Sequence, residues 1–331
     1  MKIGLVVNTR RMATEFEVEY DPPHTIALIK HGIEQTGHEY VFIEANEDAF
    51  ESLKKIRPDI VFNRSEGLRG ESRESHIPAM LEMLGIPYVG SNVLTTAVCL
   101  NKGWTKKILD YHNIKTGKFF ICDNLEEARN RSIDYPVILK PNEEGSSVGI
   151  NEDNVVHNFT ELEKKFLQMR RDYEQGILIE SFIQGREFSV GVLGNGTGGF
   201  EVLAIIEIDF SKLPKEVGGV FGQRAKTAYD ELDHYVCPAQ ISEELKSSIE
   251  KTTLEICRLL DIRDFARIDF RMNAENELIF LEINPLPGMD FDMDEVDFSF
   301  YPFMAQNSGY TYDEMVRKLL ESSCQRNNLK I

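Results

Sequence analysis

Three oxygen-bearing side chains, Asp269, Glu282 and Asn284, interrupt two apolar runs in RIDFRMNAENELIFLEINPLPG, residues 267 to 288. Side chains two apart on a strand share a face. With NAEN as the turn, Arg267, Asp269 and Arg271 on one strand meet Glu282 and Asn284 on the other. Two carboxylates and an amide oxygen beside Arg267 suit Mg²⁺, a hard cation that takes few protein ligands and keeps phosphates and water. A solvated hairpin face is the alternative that spacing alone leaves open. The NPLPG that follows removes two backbone donors and supplies a glycine, so the strand ends in a rigid turn that presents the NH of Gly288 to a ligand.

A second stretch, VILKPNEEGSSVGIN, sets Lys140 at the end of an apolar strand and follows it with a loop of small residues. Such a loop aims backbone NH groups and the Ser146 and Ser147 hydroxyls at phosphate, while Lys140 supplies a point charge. It is not a Walker A sequence, and a flexible surface loop is the plainer alternative. GNGTGG at 194 to 199 lacks the helix that a dinucleotide fingerprint requires and reads as a hairpin turn.

The elements that must carry these groups follow from periodicity. From residue 2 to about 90, short apolar runs alternate with helical patterns of three and four, as in a parallel α/β domain. VLTTAVCLNKGWTKKILDYHNI, residues 93 to 114, reads as one helical connection, followed by a second unit opening at GKFFIC and YPVILKP. A third unit carries the strands from about 190, the long helix from Ser242 to Asp261, the acidic hairpin and a final helix. The expected boundaries are 1–98, 99–190 and 191–331. No repeat or low-complexity linker occurs, so the units should share a cleft.

Composition bounds the partners. The 331 residues carry 55 acidic and 37 basic side chains, a formal charge of -18, which argues against a nucleic-acid footprint. A charged small ligand therefore needs a local basic pocket. Five cysteines without CxxC spacing suggest neither a disulfide framework nor zinc, and no apolar run is long enough for a membrane span. A soluble, cytoplasmic protein is expected.

VILKPNEEGSSVGI, ILIESFIQGREFSVGVL, FARIDF and LEINPLPGM, in this order, resemble the ATP-grasp enzymes and, within them, the D-alanine–D-alanine ligases. LGIPYVGS and YPFMAQNSGYTYDEMVRKLL support the narrower likeness, which spans nearly the whole chain. The resemblance implies an α/β, ATP-grasp fold: a parallel N-terminal domain and two α+β subdomains clasping ATP. It implies magnesium, as two ions with Mn²⁺ able to substitute, on Asp269, Glu282 and Asn284. Lys102 and Lys140 would contact phosphates, with Ser146 and Ser147 in the loop. Glu180, Phe182 and Ile183 would line the adenine pocket, Glu187 would hold the ribose, and Lys226 would close over the γ-phosphate. Arg267 and the NH of Gly288 would stabilise a tetrahedral oxyanion. Glu15, partnered by Ser146, would anchor the first substrate's ammonium, and Ser299 the second substrate's carboxylate.

The implied activity is ligation of two amino acids through an acyl phosphate, with D-alanine as the default substrate, a role in cell-wall precursor synthesis and a homodimeric assembly. The chain departs from the family around the amino-acid pockets. Asn8 and Thr9 replace a glycine pair, Glu66 stands where a histidine is expected, and Thr227 replaces a tyrosine. An acidic insertion, DFDMDEVD at 290 to 297, precedes Ser299. It reads as a solvated loop or as a selector among second substrates. Three alternatives stay open: the same chemistry on another acid and amine in a specialised pathway, a phosphotransferase, and a non-catalytic nucleotide-binding module.

Overall fold

The short buried runs at the start of the chain form β1 (Lys2–Val7), β2 (Glu39–Glu44), β3 (Ile60–Arg64) and β4 (Tyr88–Val89). They pair in parallel in the order β2-β1-β3-β4, as the continuous apolar patterning requires. The connections carry α1 (Pro23–Gln35), α2 (Ala49–Ile56) and α3 (His76–Leu84). Helix α3 stops at Gly85, whose φ of 65° is left-handed and free of Cβ strain in glycine. The computed structural model describes residues 1–12, 14, 17–196, 198–228, 232–292 and 297–330.

The expected single helix over 93–114 is two helices, α4 (Val93–Leu100) and α5 (Lys102–Tyr111). Asn101 breaks the run because its backbone is extended (φ -84°, ψ 97°) and its side chain accepts from the NH of Trp104, capping α5. The break places Lys102 at the first position of α5, where its side chain turns into the molecule.

Two antiparallel sheets follow. The first contains β5 (Phe119–Cys122), β6 (Val137–Pro141), β7 (Val155–Val156) and β8 (Ile177–Ser181), ordered β5-β8-β6-β7, with α6 (Leu125–Arg129) and α7 (Phe159–Asp172) between strands. The second contains β9 (Arg186–Asn195), β10 (Gly199–Val202), β11 (Ile206–Ile208), β12 (Tyr235–Val236), β13 (Arg263–Met272) and β14 (Leu278–Asn284). Its order is β12-β11-β9-β13-β14, with β10 folded back on β9 through the expected GNGTGG hairpin. Helices α8 (Gln223–Ala228) and α9 (Glu243–Leu259) lie between its strands. The chain ends in the pair β15 (Phe291–Asp292) and β16 (Asp297–Phe298), then α10 (Phe300–Asn307) and α11 (Tyr312–Arg326).

Each antiparallel sheet has its own core, around Leu139, Phe166 and Ile179 in one and Val190, Ile256 and Ile268 in the other. The parallel sheet instead shares its core with the C-terminal helices: Ile3, Leu5 and Ile29 pack with Met315, Val316 and Leu319. Gly32 permits the close approach of α1 to α11, since a Cβ there would lie 2.9 Å from Val316 Cβ. This shared core fixes the parallel sheet against the end of β14, and with it the N-terminal residues against the acidic hairpin.

Candidate active site

A cleft opens between the two antiparallel sheets. Lys140 of β6, Glu180 of β8, Ser189 of β9, the Arg267, Asp269 and Arg271 face of β13, and Glu282 of β14 line it, with Lys226 of α8 as a further wall. Phe182 and Ile183 lie at the apolar end and Ser147 at the loop end. Its lining, mostly apolar at one end with a few convergent charged groups, is of the kind that binds small ligands.

The hairpin has the register that the sequence pattern requires. Asp269 lies opposite Glu282 and Arg267 opposite Asn284, and a bulge follows Asp269. Arg267 Nη2 lies 2.9 Å from Asp269 Oδ2 and 3.8 Å from Glu282 Oε1. Ser189 Oγ donates to Asp269. Asn284 Oδ1 accepts from the NH of Leu286 at 2.8 Å, shaping the NPLPG turn, and retains a second lone pair toward a ligand. Among the described residues no three His, Cys, Asp or Glu side chains gather to hold a metal. Two carboxylates and one amide fit a divalent ion that takes its other ligands from phosphate and water.

Cations crowd this acidic pair. Burial alone would raise the Glu282 carboxyl, but Lys102, Lys140, Arg267 and Lys226 outweigh it and hold the value below its ordinary range. Lys102 is buried; its Nζ lies 3.9 Å from Glu282 Oε2 and donates to the carbonyl of Glu144. Burial, and after it Arg267, lowers the Lys226 ammonium. Four cationic side chains around one carboxylate are the local basic pocket that a chain of charge -18 needs for an anionic ligand.

Sequence reasoning missed Lys106, and it placed Arg271 on the hairpin face without giving it a partner. Lys106 of α5, fully buried, lies 2.8 Å from Glu180 Oε2, while Lys140 Nζ lies 2.6 Å from Oε1. Burial would raise Glu180, yet the two ammonium groups bring it down to about 2. Arg271 pairs with Glu187, its Nε donating at 2.8 Å, and also donates to the carbonyls of Ile183 and Gly219. Glu187, expected at a ribose, thus faces the cleft held by an arginine; the shared face of Arg271 with Asp269 was the available signal.

The loop after Lys140 makes a tight turn in which the NH of Val148 donates to the carbonyl of Gly145 at 2.9 Å. Ser146 (φ 47°) and Ser147 (φ 60°) are left-handed in succession, each at a cost of about 1–3 kcal/mol for a residue with a Cβ. Ser147 faces the cleft, whereas Ser146 is exposed at the loop tip.

The amino-acid side of the site is less uniform. Glu15 lies outside the described residues, as do residues 293 to 296 of the acidic insertion and the side chain of Thr227. Asn8, at the end of β1, accepts at Oδ1 from the NH groups of Glu66 and Gly67 and donates to Ala45, so it clamps the ends of β1 and β3 together. Thr9 Oγ1 donates to Glu44 Oε2 at 2.6 Å. Gly288 sits against Ser299, and its NH donates to no described residue. Ser299 Oγ accepts from the NH of Asp290 at 3.2 Å. Arg64 joins the halves, donating to the carbonyl of Pro287 at 2.8 Å while paired with Asp21 at 3.0 Å.

Paired sheets closing on a cleft with a metal-suited hairpin and a lysine-flanked small-residue loop define the ATP-grasp fold. Residues 106–321 match the family model described as "D-ala D-ala ligase C-terminus". A D-alanine–D-alanine ligase of Aquifex aeolicus is 30% identical over 320 residues, 96% of this chain and 98% of that protein. An uncharacterised protein of Sinorhizobium fredii is 29% identical over 302 residues, covering 89% of this chain and 85% of its own. The crystal structure of the Bacillus anthracis D-alanine–D-alanine ligase complexed with ATP superposes with a TM-score of 0.74 over 99% of both chains at 23% identity. The chain belongs to the D-alanine–D-alanine ligase family.

Proposed function

We propose that the protein is an ATP-dependent ligase that joins the carboxylate of one amino acid to the amine of another, with D-alanine as the reference substrate. One observation carries this most: Asp269 and Glu282 face each other on the hairpin, among Lys102, Lys140, Lys226 and Arg267. The arrangement suits a triphosphate with its metal. In this reading the three lysines and the loop of Ser146 and Ser147 hold phosphates, Phe182 and Ile183 flank the base beside Glu180, and Glu187 takes the ribose. Asp269, Glu282 and Asn284 would hold Mg²⁺, which when bound offsets charge on the transferring phosphoryl group.

The substrate carboxylate attacks the γ-phosphorus and ADP departs with the bridging oxygen. The amine then attacks the acyl carbon, phosphate leaves with the electrons of its C–O bond, and the amine proton passes to solvent. Arg267 and the Gly288 NH face the oxyanion of that second step. Ser299 takes the carboxylate of the attacking amino acid; Glu15 and Ser146 take the ammonium of the first. The family resemblance supports a cytoplasmic homodimer; among the described residues no helix is long and apolar enough to cross a membrane.

The test is phosphate release from ATP and Mg²⁺ with D-alanine alone and with single and paired amino acids, the products weighed by mass spectrometry. Dipeptide formed one-for-one with ADP and phosphate is the expected result. ATP turnover that yields a stable phosphorylated product and no amide would make the protein a phosphotransferase. A second reading, the same chemistry on another pair, is favoured by Glu66, a buried carboxylate at a position where the family resemblance expects histidine.

A further inference from the structure

Two carboxylates at the C-terminal edge of the parallel sheet, Glu66 and Glu74, form no ion pair among the described residues, although Arg64, Arg73 and Lys102 lie near enough to act on them. Glu66, just beyond β3, is 7% exposed, and neither of its carboxylate oxygens has a hydrogen bond or ion pair among the described residues. Glu74 is 5% exposed, and its Oε2 is buried without a hydrogen-bond partner. Of the charges around Glu66, that of Glu74 acts on it most strongly, followed by Glu19. Carboxylates seldom stay buried unless they are paired, and an orphaned buried oxygen calls for a ligand, a water or an ion.

The neighbouring cations are already committed. Arg64 makes a two-pronged pair with Asp21, at 3.0 and 3.1 Å. Arg73 is shared between Glu19 at 2.8 Å and Glu144 at 3.2 Å, and donates to the carbonyl of Glu143. Lys102 turns away to Glu144 and Glu282. The cluster is therefore short of positive charge. Burial, and then the charge of Glu74, push the Glu66 carboxyl well up; burial and then Glu19 push Glu74 up to about 8. Both acids are held toward their neutral forms by burial and by neighbouring carboxylates.

The cluster also adjoins the proposed reaction centre. Glu19 Oε1 lies where a Cβ on Gly145 of the phosphate loop would sit, and Arg64 reaches the carbonyl before Gly288. Ligands of open α/β sheets gather at the carboxyl ends of the strands, where Glu66 lies. We propose that Glu66 and Glu74 form a subsite for a side-chain ammonium, so that one of the two amino acids this ligase joins is a basic, diamino acid rather than alanine. The inference rests on the ligase reading and names the substrate class of that site. A neutral substrate leaves both acids unpaired; a primary ammonium offers three donors to their oxygens and supplies the missing charge.

The experiment compares matched pairs of near-equal size: 2,3-diaminopropionate against 2-aminobutyrate, and ornithine against norleucine, as both enantiomers. Each is assayed for ATP-dependent phosphate release, alone and with D-alanine, and for thermal stabilisation of the protein without ATP. The expected result is a preference of at least tenfold in kcat/KM for one cationic member, expressed in KM, with a matching rise in melting temperature. Glu66→Gln and Glu74→Gln, each checked for folding by circular dichroism, should cut that preference about tenfold. Turnover on D-alanine or the neutral partners with no gain from the ammonium overturns the subsite and leaves the ligase reading standing. A preference unchanged in both variants, or stabilisation by KCl alone with none from the diamino acids, overturns it as well. Phosphate release with none of the amino acids overturns the ligase reading, and the melting temperatures then still report whether an ammonium binds.

Discussion

Replacing Glu180 by Gln perturbs the one buried carboxylate that holds two lysines under the cleft. Its side chain is 3% exposed, with Lys106 at 2.8 Å and Lys140 at 2.6 Å. Against burial, the pair brings the carboxyl from an ordinary 4.5 to about 2. Because the folded value is the lower one, ionised Glu180 stabilises the native state fully above about pH 4.5 and loses that contribution as pH falls through about 2. At about 1.4 kcal/mol per pH unit the difference corresponds to roughly 3 kcal/mol at neutral pH, of which about 1.4 kcal/mol is gone by about pH 3.5. Glu180→Gln leaves two buried ammonium groups without an anion and should cost about 3–5 kcal/mol at pH 7. Urea unfolding of both proteins at pH 7, 5 and 3.5 is the assay. The gap between them should narrow by about 1–2 kcal/mol at the lowest pH. Adding Lys106→Met to Glu180→Gln should recover part of the loss at neutral pH. A variant as stable as the parent at pH 7, or a gap independent of pH, refutes the ion-pair reading.

Glu282→Gln removes a metal-facing charge with little change of volume; it should abolish ATP turnover in a protein that melts normally, as followed by coupled ADP assay and calorimetry. Glu74, pushed up to about 8, contributes stability that is complete below about pH 4.5 and lost as pH rises through about 8. Glu74→Gln should therefore match the parent near pH 4.5 and exceed it by a few kcal/mol at pH 8, read from urea midpoints at both values. Gly67 has a φ of 80°, and a Cβ there would run into the Arg73 backbone; Gly67→Ala should cost about 2 kcal/mol or more in urea unfolding and raise KM in the phosphate-release assay.

Local pattern carried the parallel sheet and the hairpin. Continuous apolar runs between helical periods specify β1 to β4, and the alternation around Asp269 and Glu282 specifies which side chains meet. Lys140 was legible because it closes an apolar strand before a loop of small residues. Lys106 was not, since it reads as an ordinary helix lysine until the fold brings Glu180 from another strand beside it. The break at Asn101 was hidden because both flanking segments have helical periodicity and only the cap distinguishes one helix from two. The Glu66 departure was visible as a residue type, but its lack of an ion pair among the described residues emerges only when Arg64 and Arg73 are seen to pair elsewhere.

The acyl-phosphate route, whichever acid and amine it joins, makes one demand: an oxygen of the substrate carboxylate must end in inorganic phosphate. The most direct measurement supplies D-alanine, or the preferred acid from the paired-substrate panel, with both carboxyl oxygens as ¹⁸O, together with unlabelled ATP and Mg²⁺. The released phosphate is then weighed. One ¹⁸O in each phosphate, matched by loss of one label from the acid residue of the dipeptide, is the predicted result. Unlabelled phosphate alongside amide formation would contradict it and remove the carboxylate attack on the γ-phosphorus.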